Sequence, residues 1–193
     1  MPTFTYKNQT ITYDVQRSEV SFIKIYLDDL NGIKVTASPQ KDQAKIQAFV
    51  EKKADWILEK WQQTHENLYV IDSLGLSENQ RIPYLGRSYQ LILEGSAEVT
   101  FALQKGKFRF SYPESWTEQK SADQLRTQAK HWLYKKAHEK YKAWTDFQVE
   151  AEEDYTRIGK KEQEVIHLNW RLIHTSKENM QQKIQDLYEE KTS

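Results

Sequence analysis

Apolar and polar positions alternate in three runs near the start of the chain: Ile11, Tyr13 and Val15; Ile23, Ile25 and Leu27; Ile33, Val35 and Ala37. This two-residue period predicts half-buried strands. Asn31-Gly32 between the second and third runs suits a tight turn, so a meander of three antiparallel strands is expected. After Ser38-Pro39 the period changes. Asp42 can cap a helix in which Ile46, Phe49, Val50, Ala54, Ile57 and Trp61 form one stripe, running to about His65.

Beyond a mixed connection over 67–80, alternation returns at Tyr89, Leu91 and Leu93, at Val99, Phe101 and Leu103, and at Phe108, Phe110 and Tyr112. Tyr84-Leu85-Gly86-Arg87 reads as a strand with a glycine-permitted bulge, and Pro113 stops the β-region. From about Ser121 to Asp154 the spacing of Leu125, Ala129, Trp132 or Leu133, Ala137, Tyr141 and Trp144 predicts a long helix. Its acidic end opposes the helix dipole and places a break near 147–150. Residues 159–164 then form a loop, Val165 to Ile173 a strand, and Ser176 caps a last helix striped by Met180, Ile184 and Leu187 or Tyr188. The sequence shows no internal repeat. These elements predict an α+β fold: a β-rich half with one packed helix over 1–113, then a mainly helical half over 114–193, in one compact unit.

Composition narrows the classes. The 193 residues carry 28 basic and 28 acidic side chains, so no basic excess points to a general nucleic-acid binder. Six Trp, eleven Tyr and seven Phe supply enough apolar burial to argue against disorder. Without cysteine there is no disulfide, thiolate metal site or Cys nucleophile. No apolar run is long enough to span a bilayer and no leader pattern opens the chain, so a cytoplasmic location is expected.

Two patterns raise possible chemistry. Lys130, Lys135, Lys136 and Lys140 interleave with Trp132, Tyr134 and Tyr141, a combination that could contact phosphates and stack bases. The helical spacing of the aromatics favours core packing with a wet lysine face instead. Of the five histidines, His131 and His138 share a helix face but lie about 10 Å apart along it, too far for one metal ion. His167 and His174 are likewise separated.

Several words in the chain carry a resemblance. They are Gln16-Arg17-Ser18, then Ile33-Lys34-Val35-Thr36-Ala37-Ser38-Pro39, then Phe49-Val50 with Lys53 and Trp56-Ile57, then Tyr84-Leu85-Gly86-Arg87-Ser88-Tyr89, and finally Asn169-Trp170-Arg171-Leu172-Ile173. In this order the chain resembles the YgjP-like metallopeptidase family, relatives of the SprT-type zincins. The resemblance implies a shortened zincin-like scaffold and an ancestral zinc-dependent peptide hydrolysis. Three family features differ here. The family's Thr-Arg-Trp-Gly-Ser-Cys turn is represented by Thr156 to Lys161, which keeps Arg157 and Gly159. The helix that would carry H-E-x-x-H reads Gln181 to Glu190, with Asp186, Leu187 and Glu190 at its first His, its Glu and its second His. A further segment with another metal-ligand His has no counterpart among these residues.

H-E-x-x-H works because two His at i and i+4 bind zinc on one helix face while the Glu deprotonates the bound water. Leu187 cannot act as a base, and two carboxylates alone suit zinc poorly. No catalytic residue, metal ligand or cofactor is therefore expected. Arg157, Gly159, Asn169, Trp170 and Arg171 are expected to line or support a vestigial cleft. The expected roles are a family member without catalysis or, alternatively, a binding module for a protein or nucleic-acid partner.

Overall fold

The computed structural model describes residues 1–77 and 79–190; the last three residues of the expected C-terminal half, 191–193, lie outside it. The chain is α+β, with eleven strands in three small sheets and four α-helices among the described residues.

The first sheet contains β1 (Thr3–Tyr6), β2 (Gln9–Arg17), β3 (Lys24–Asp28) and β4 (Gly32–Ala37) in the order β1-β2-β4-β3. The expected meander is not formed. β3 and β4 pair as an antiparallel hairpin, but β4 then lies parallel to β2, with Tyr13 opposite Ile33 and Val15 opposite Val35. The six residues between β2 and β3 carry the chain across the sheet, and the two-residue alternation is the same for either pairing. α1 (Gln43–Lys52) and α2 (Ala54–Thr64) follow, where one helix was expected; Lys53 leaves helical geometry between them at φ −98°, ψ 4°. Ile46, Val50, Ala54, Ile57 and Leu58 bury against Ile11, Tyr13, Ile33 and Val35 in a core of their own.

Two short 3-10 turns, Glu66–Leu68 and Val70–Ser73, lead to a second sheet. It contains β5 (Arg81–Tyr84), β6 (Arg87–Gly95), β7 (Thr100–Gln104) and β8 (Lys107–Tyr112) in the order β5-β6-β8-β7. This is the first sheet's topology again: two antiparallel hairpins joined by a parallel central pair. The tight turns agree as well, with positive φ at Lys7 and Asn8 in one hairpin and at Leu85 and Gly86 in the other. Leu85-Gly86 is thus a two-residue turn and not a bulge. α3 (Glu118–Ala143) completes the second copy. Its buried Ser121, Leu125, Ala129 and Leu133 stand at one constant offset from Ile46, Val50, Ala54 and Leu58. The chain is therefore a structural duplication without a repeated sequence word. The side chains differ, but the burial pattern they must satisfy is the same.

Where one strand was expected in the C-terminal half there are three. β9 (Gln148–Glu152), β10 (Gly159–Glu162) and β11 (Val165–Asn169) form a sheet in the order β10-β11-β9, with β9 parallel to β11. α3 ends at Ala143, before the predicted break, and β9 takes over five residues that carry two carboxylates. Val149, Ala151, Ile166 and Leu168 bury one face of this sheet in the larger core, while Glu150 and His167 remain on the other. A 3-10 turn, Trp170–His174, and α4 (Lys177–Glu189) close the molecule. Ser176 caps α4 by accepting from the Asn179 N–H at 3.1 Å, and Met180, Ile184 and Leu187 form its buried stripe, as the sequence predicts; Tyr188 stays exposed.

Candidate functional site

Asn169, Trp170 and Arg171 do not face an opening. They form a buried knot under the third sheet. The Asn169 amide donates to the carbonyls of Asp154 (2.8 Å) and Arg157 (3.0 Å), and its side-chain oxygen accepts from the Arg171 N–H at 3.0 Å. It therefore pins the loop after β9 and caps the following turn at once. Arg171 is fully buried. Its guanidinium donates twice to Asp72 at 3.1 Å and once to Glu153 at 2.6 Å, and lies over the rings of Tyr155, Trp170 and Tyr69. Burial works against that charge, but the Asp72 and Glu153 carboxylates more than reverse the effect and keep Arg171 ionised. For Asp72, burial alone would raise the pKa; the bonds and charges of Arg171 and Lys130 hold it below the usual carboxylate range.

Arg157 is also buried, paired with Glu152 at 2.8 Å and Asp154 at 3.1 Å. Burial raises Asp154 to about 6, against the pull of Arg157 and of the Thr156 N–H. Gly159 opens β10 with no room for a side chain. A Cβ there would stand 2.4 Å from the His167 carbonyl oxygen and 2.8 Å from Leu187 Cδ1.

The opening itself lies elsewhere. A cleft of about 980 Å³ separates the first sheet from the third. Residues 14–17 of β2 form one wall and residues 160–163 the other, with Val165 and His167 behind them and Asn31, Lys34 and Glu190 at one end. None of Arg157, Gly159, Asn169, Trp170 and Arg171 lines this opening; of the positions matching H-E-x-x-H, Glu190 reaches it. Arg157, Asn169, Trp170 and Arg171 are buried instead. The cleft itself has no motif in the sequence, because its walls come from strands of separate units. The one advance signal was Asn31-Gly32. That turn docks the N-terminal unit on the C-terminal one, with the Leu30 carbonyl accepting from the N–H groups of Ile158 (3.0 Å) and Gly159 (3.1 Å).

At the positions matching H-E-x-x-H, Asp186 accepts from Gln182 at 2.8 Å, Leu187 is fully buried, and Glu190 accepts from the Asn31 amide at 2.5 Å. His174 is buried, its Nδ1 2.6 Å from the Pro83 carbonyl and its pKa lowered to about 4 by burial. His167 lies between Glu150 (4.0 Å) and Glu162 (3.7 Å). Among the described residues, no three His, Asp or Glu side chains come together to hold a metal ion. A zinc ion thus has neither imidazole pair nor base at α4, and the donor set does not fit it.

The basic helix face is largely committed within the fold. Lys130 pairs with Asp72 at 2.7 Å, Lys136 pairs with Glu139 at 3.1 Å, and Lys140 lies over the Trp144 ring. Tyr141 is fully buried and Trp132 packs edge-on to Tyr84, Phe101 and Phe108, which leaves Tyr134 as the exposed aromatic of this stretch. Lys135 has no such partner among the described residues.

A family model described as YgjP-like, metallopeptidase domain, matches residues 22–182. The chain belongs to the YgjP-like family. No curated protein and no solved structure matches it. The family match begins after β2, takes in the rest of the first unit, the second unit and the third sheet, and ends within α4. No helix among the described residues is long and apolar enough to cross a membrane.

Proposed function

We propose that this YgjP-like chain has given up zinc-dependent hydrolysis and acts by binding a protein partner. The observation that carries this reading is Leu187. It occupies the position of the catalytic Glu, and its side chain is buried against Gly159 instead of turned to the cleft. The flanking carboxylates support it too, since Asp186 and Glu190 are held by Gln182 and Asn31. What the scaffold retains is the cleft between the sheets, which Glu190 reaches from the end of α4.

The test is direct. Purified protein is incubated with an unfolded polypeptide and equimolar Zn²⁺, and new amino termini are counted over a day. The reading predicts none above the metal-only control. Cleavage that a chelator abolishes and zinc restores would overturn it.

A further inference from the structure

The two cleft walls share a property that their pairing partners reveal. β1 covers β2 only as far as Thr12, opposite Thr3. The Tyr13 N–H then reaches the Pro2 carbonyl at 3.1 Å, Met1 lies in the cleft with its Sδ 3.0 Å from Lys160 Nζ, and among the described residues no strand pairs with β2 on that side beyond it. The Ser18 N–H goes to Ala37 on β4, which fixes the alternation. Odd-numbered residues here turn their backbone groups away from β4, so the N–H and C=O of Val15 and the N–H of Arg17 point along the open edge. On the opposite wall β10 is the sheet's edge strand. Asn169 donates to the Ile158 carbonyl, while the Gly159 N–H turns outward to Leu30. Two residues on, Lys161 turns its N–H and C=O to that same outer side. Residues 14–17 and 160–163 both line the cleft contiguously, as strand edges do; β11 lines it only through alternate Val165 and His167, as a face does.

We infer that this cleft is a docking site for an extended, acidic peptide segment of a partner protein, added as a strand along the open edge of β2 and facing the edge of β10. Two open edges across one groove ask for a backbone with its own N–H and C=O groups to offer, which is the strand-addition mode of peptide recognition. The charges select its character. Lys34 is paired with Glu190 and Lys160 with Glu162. Arg17 is held by the carbonyls of Ser38 and Lys41, with no carboxylate, and Lys161 lies over the Tyr188 ring. Against these two uncompensated cations stands Asp14, which has no ion-pair partner among the described residues, so the groove favours acidic side chains. This inference rests on the binding role proposed above and names its ligand.

The probe is a labelled ten-residue peptide alternating Val and Glu, titrated into the full chain while its amide resonances are followed. Comparators carry N-methyl groups on one or the other alternate set of amides, or Lys in place of Glu. Shifts centred on Val15, Arg17 and Lys161 are expected. Affinity should fall at least tenfold with one N-methylated set, and at least tenfold with Lys at low salt. Absence of binding at millimolar peptide, undiminished binding of both N-methylated sets, or shifts away from the cleft would overturn the inference. Cleavage of the probe would instead overturn the loss of hydrolysis while leaving the docking site standing.

Discussion

Leu187 and Gly159 are locked to each other: a Cβ on Gly159 would come within 2.8 Å of Leu187 Cδ1. One residue stands in the turn the family keeps as Arg-x-Gly, the other at the position of the catalytic Glu. On the function proposed above, packing between them stands in place of chemistry.

Gly159→Ala should therefore destabilise the chain by roughly 1–3 kcal/mol, the usual cost of overpacking. Leu187→Ala should cost about 2–5 kcal/mol by opening a cavity. The double variant should cost less than the sum, because part of the clash disappears with the Leu side chain. It will not recover fully, since the His167 carbonyl oxygen is closer still. Urea melts of the three variants measure this.

The duplicated hairpins supply an internal control. Gly32 and Gly106 occupy matching turns at φ +82° and +74°. A Cβ at Gly32 would collide with the Thr156 carbonyl at 2.1 Å, whereas nothing lies within 4 Å of one at Gly106. Gly106→Ala should cost about 1 kcal/mol from backbone strain alone. Gly32→Ala should cost several times more and loosen the two units from each other, seen as faster hydrogen exchange at Ile158 and Gly159.

Removing Arg171 leaves Asp72 and Glu153 without their shared cation. Arg171→Ala should cost about 3–5 kcal/mol, the range for breaking a buried pair from one side. Lys130 remains against Asp72 and should keep the loss near the lower end. Arg171→Lys keeps the charge without the two-pronged geometry and should recover only part. Denaturant midpoints would decide.

Two buried groups give opposite pH dependences in one window. His174 has a folded pKa of about 4 against 6.5 unfolded, so its contribution is complete above 6.5 and is lost as pH falls toward 4. Asp154 has a folded pKa of about 6 against 3.8 unfolded, so it gains stability over nearly the same fall. Wild-type stability should be nearly flat between pH 4 and 6. Asp154→Asn should unmask a decline on the order of 1 kcal/mol per pH unit. If Asp154→Asn is as flat as wild type, this pairing of shifts is wrong.

The sequence made the local elements legible because burial imposes its period directly: Ile11-Tyr13-Val15, the α4 stripe and the Ser176 cap all stand where alternation and capping put them. It did not reveal that β2 and β4 are parallel, since a strand's side-chain period is blind to its neighbour's direction. β9 was hidden by Glu150 and Glu152, which face outward from a sheet whose other side is buried. The second copy of the fold was hidden because Ser121 and Leu125 fill the places of Ile46 and Val50 with unlike volumes. Arg171 was legible as part of a family word, but its partner Asp72 lies 99 residues earlier in a turn with no periodicity at all. The cleft, bounded by two strand edges, has no signature in side-chain pattern.

The proposed loss of the metal centre is tested most directly by elemental analysis of untagged protein, paired with thermal melts during a zinc titration and after chelation. Zinc far below one equivalent is expected, with a melting temperature that neither treatment moves. Near-stoichiometric zinc, with a melting point that drops on chelation, would contradict it and would turn attention to His167, His174, Asp186 and Glu190 as ligands.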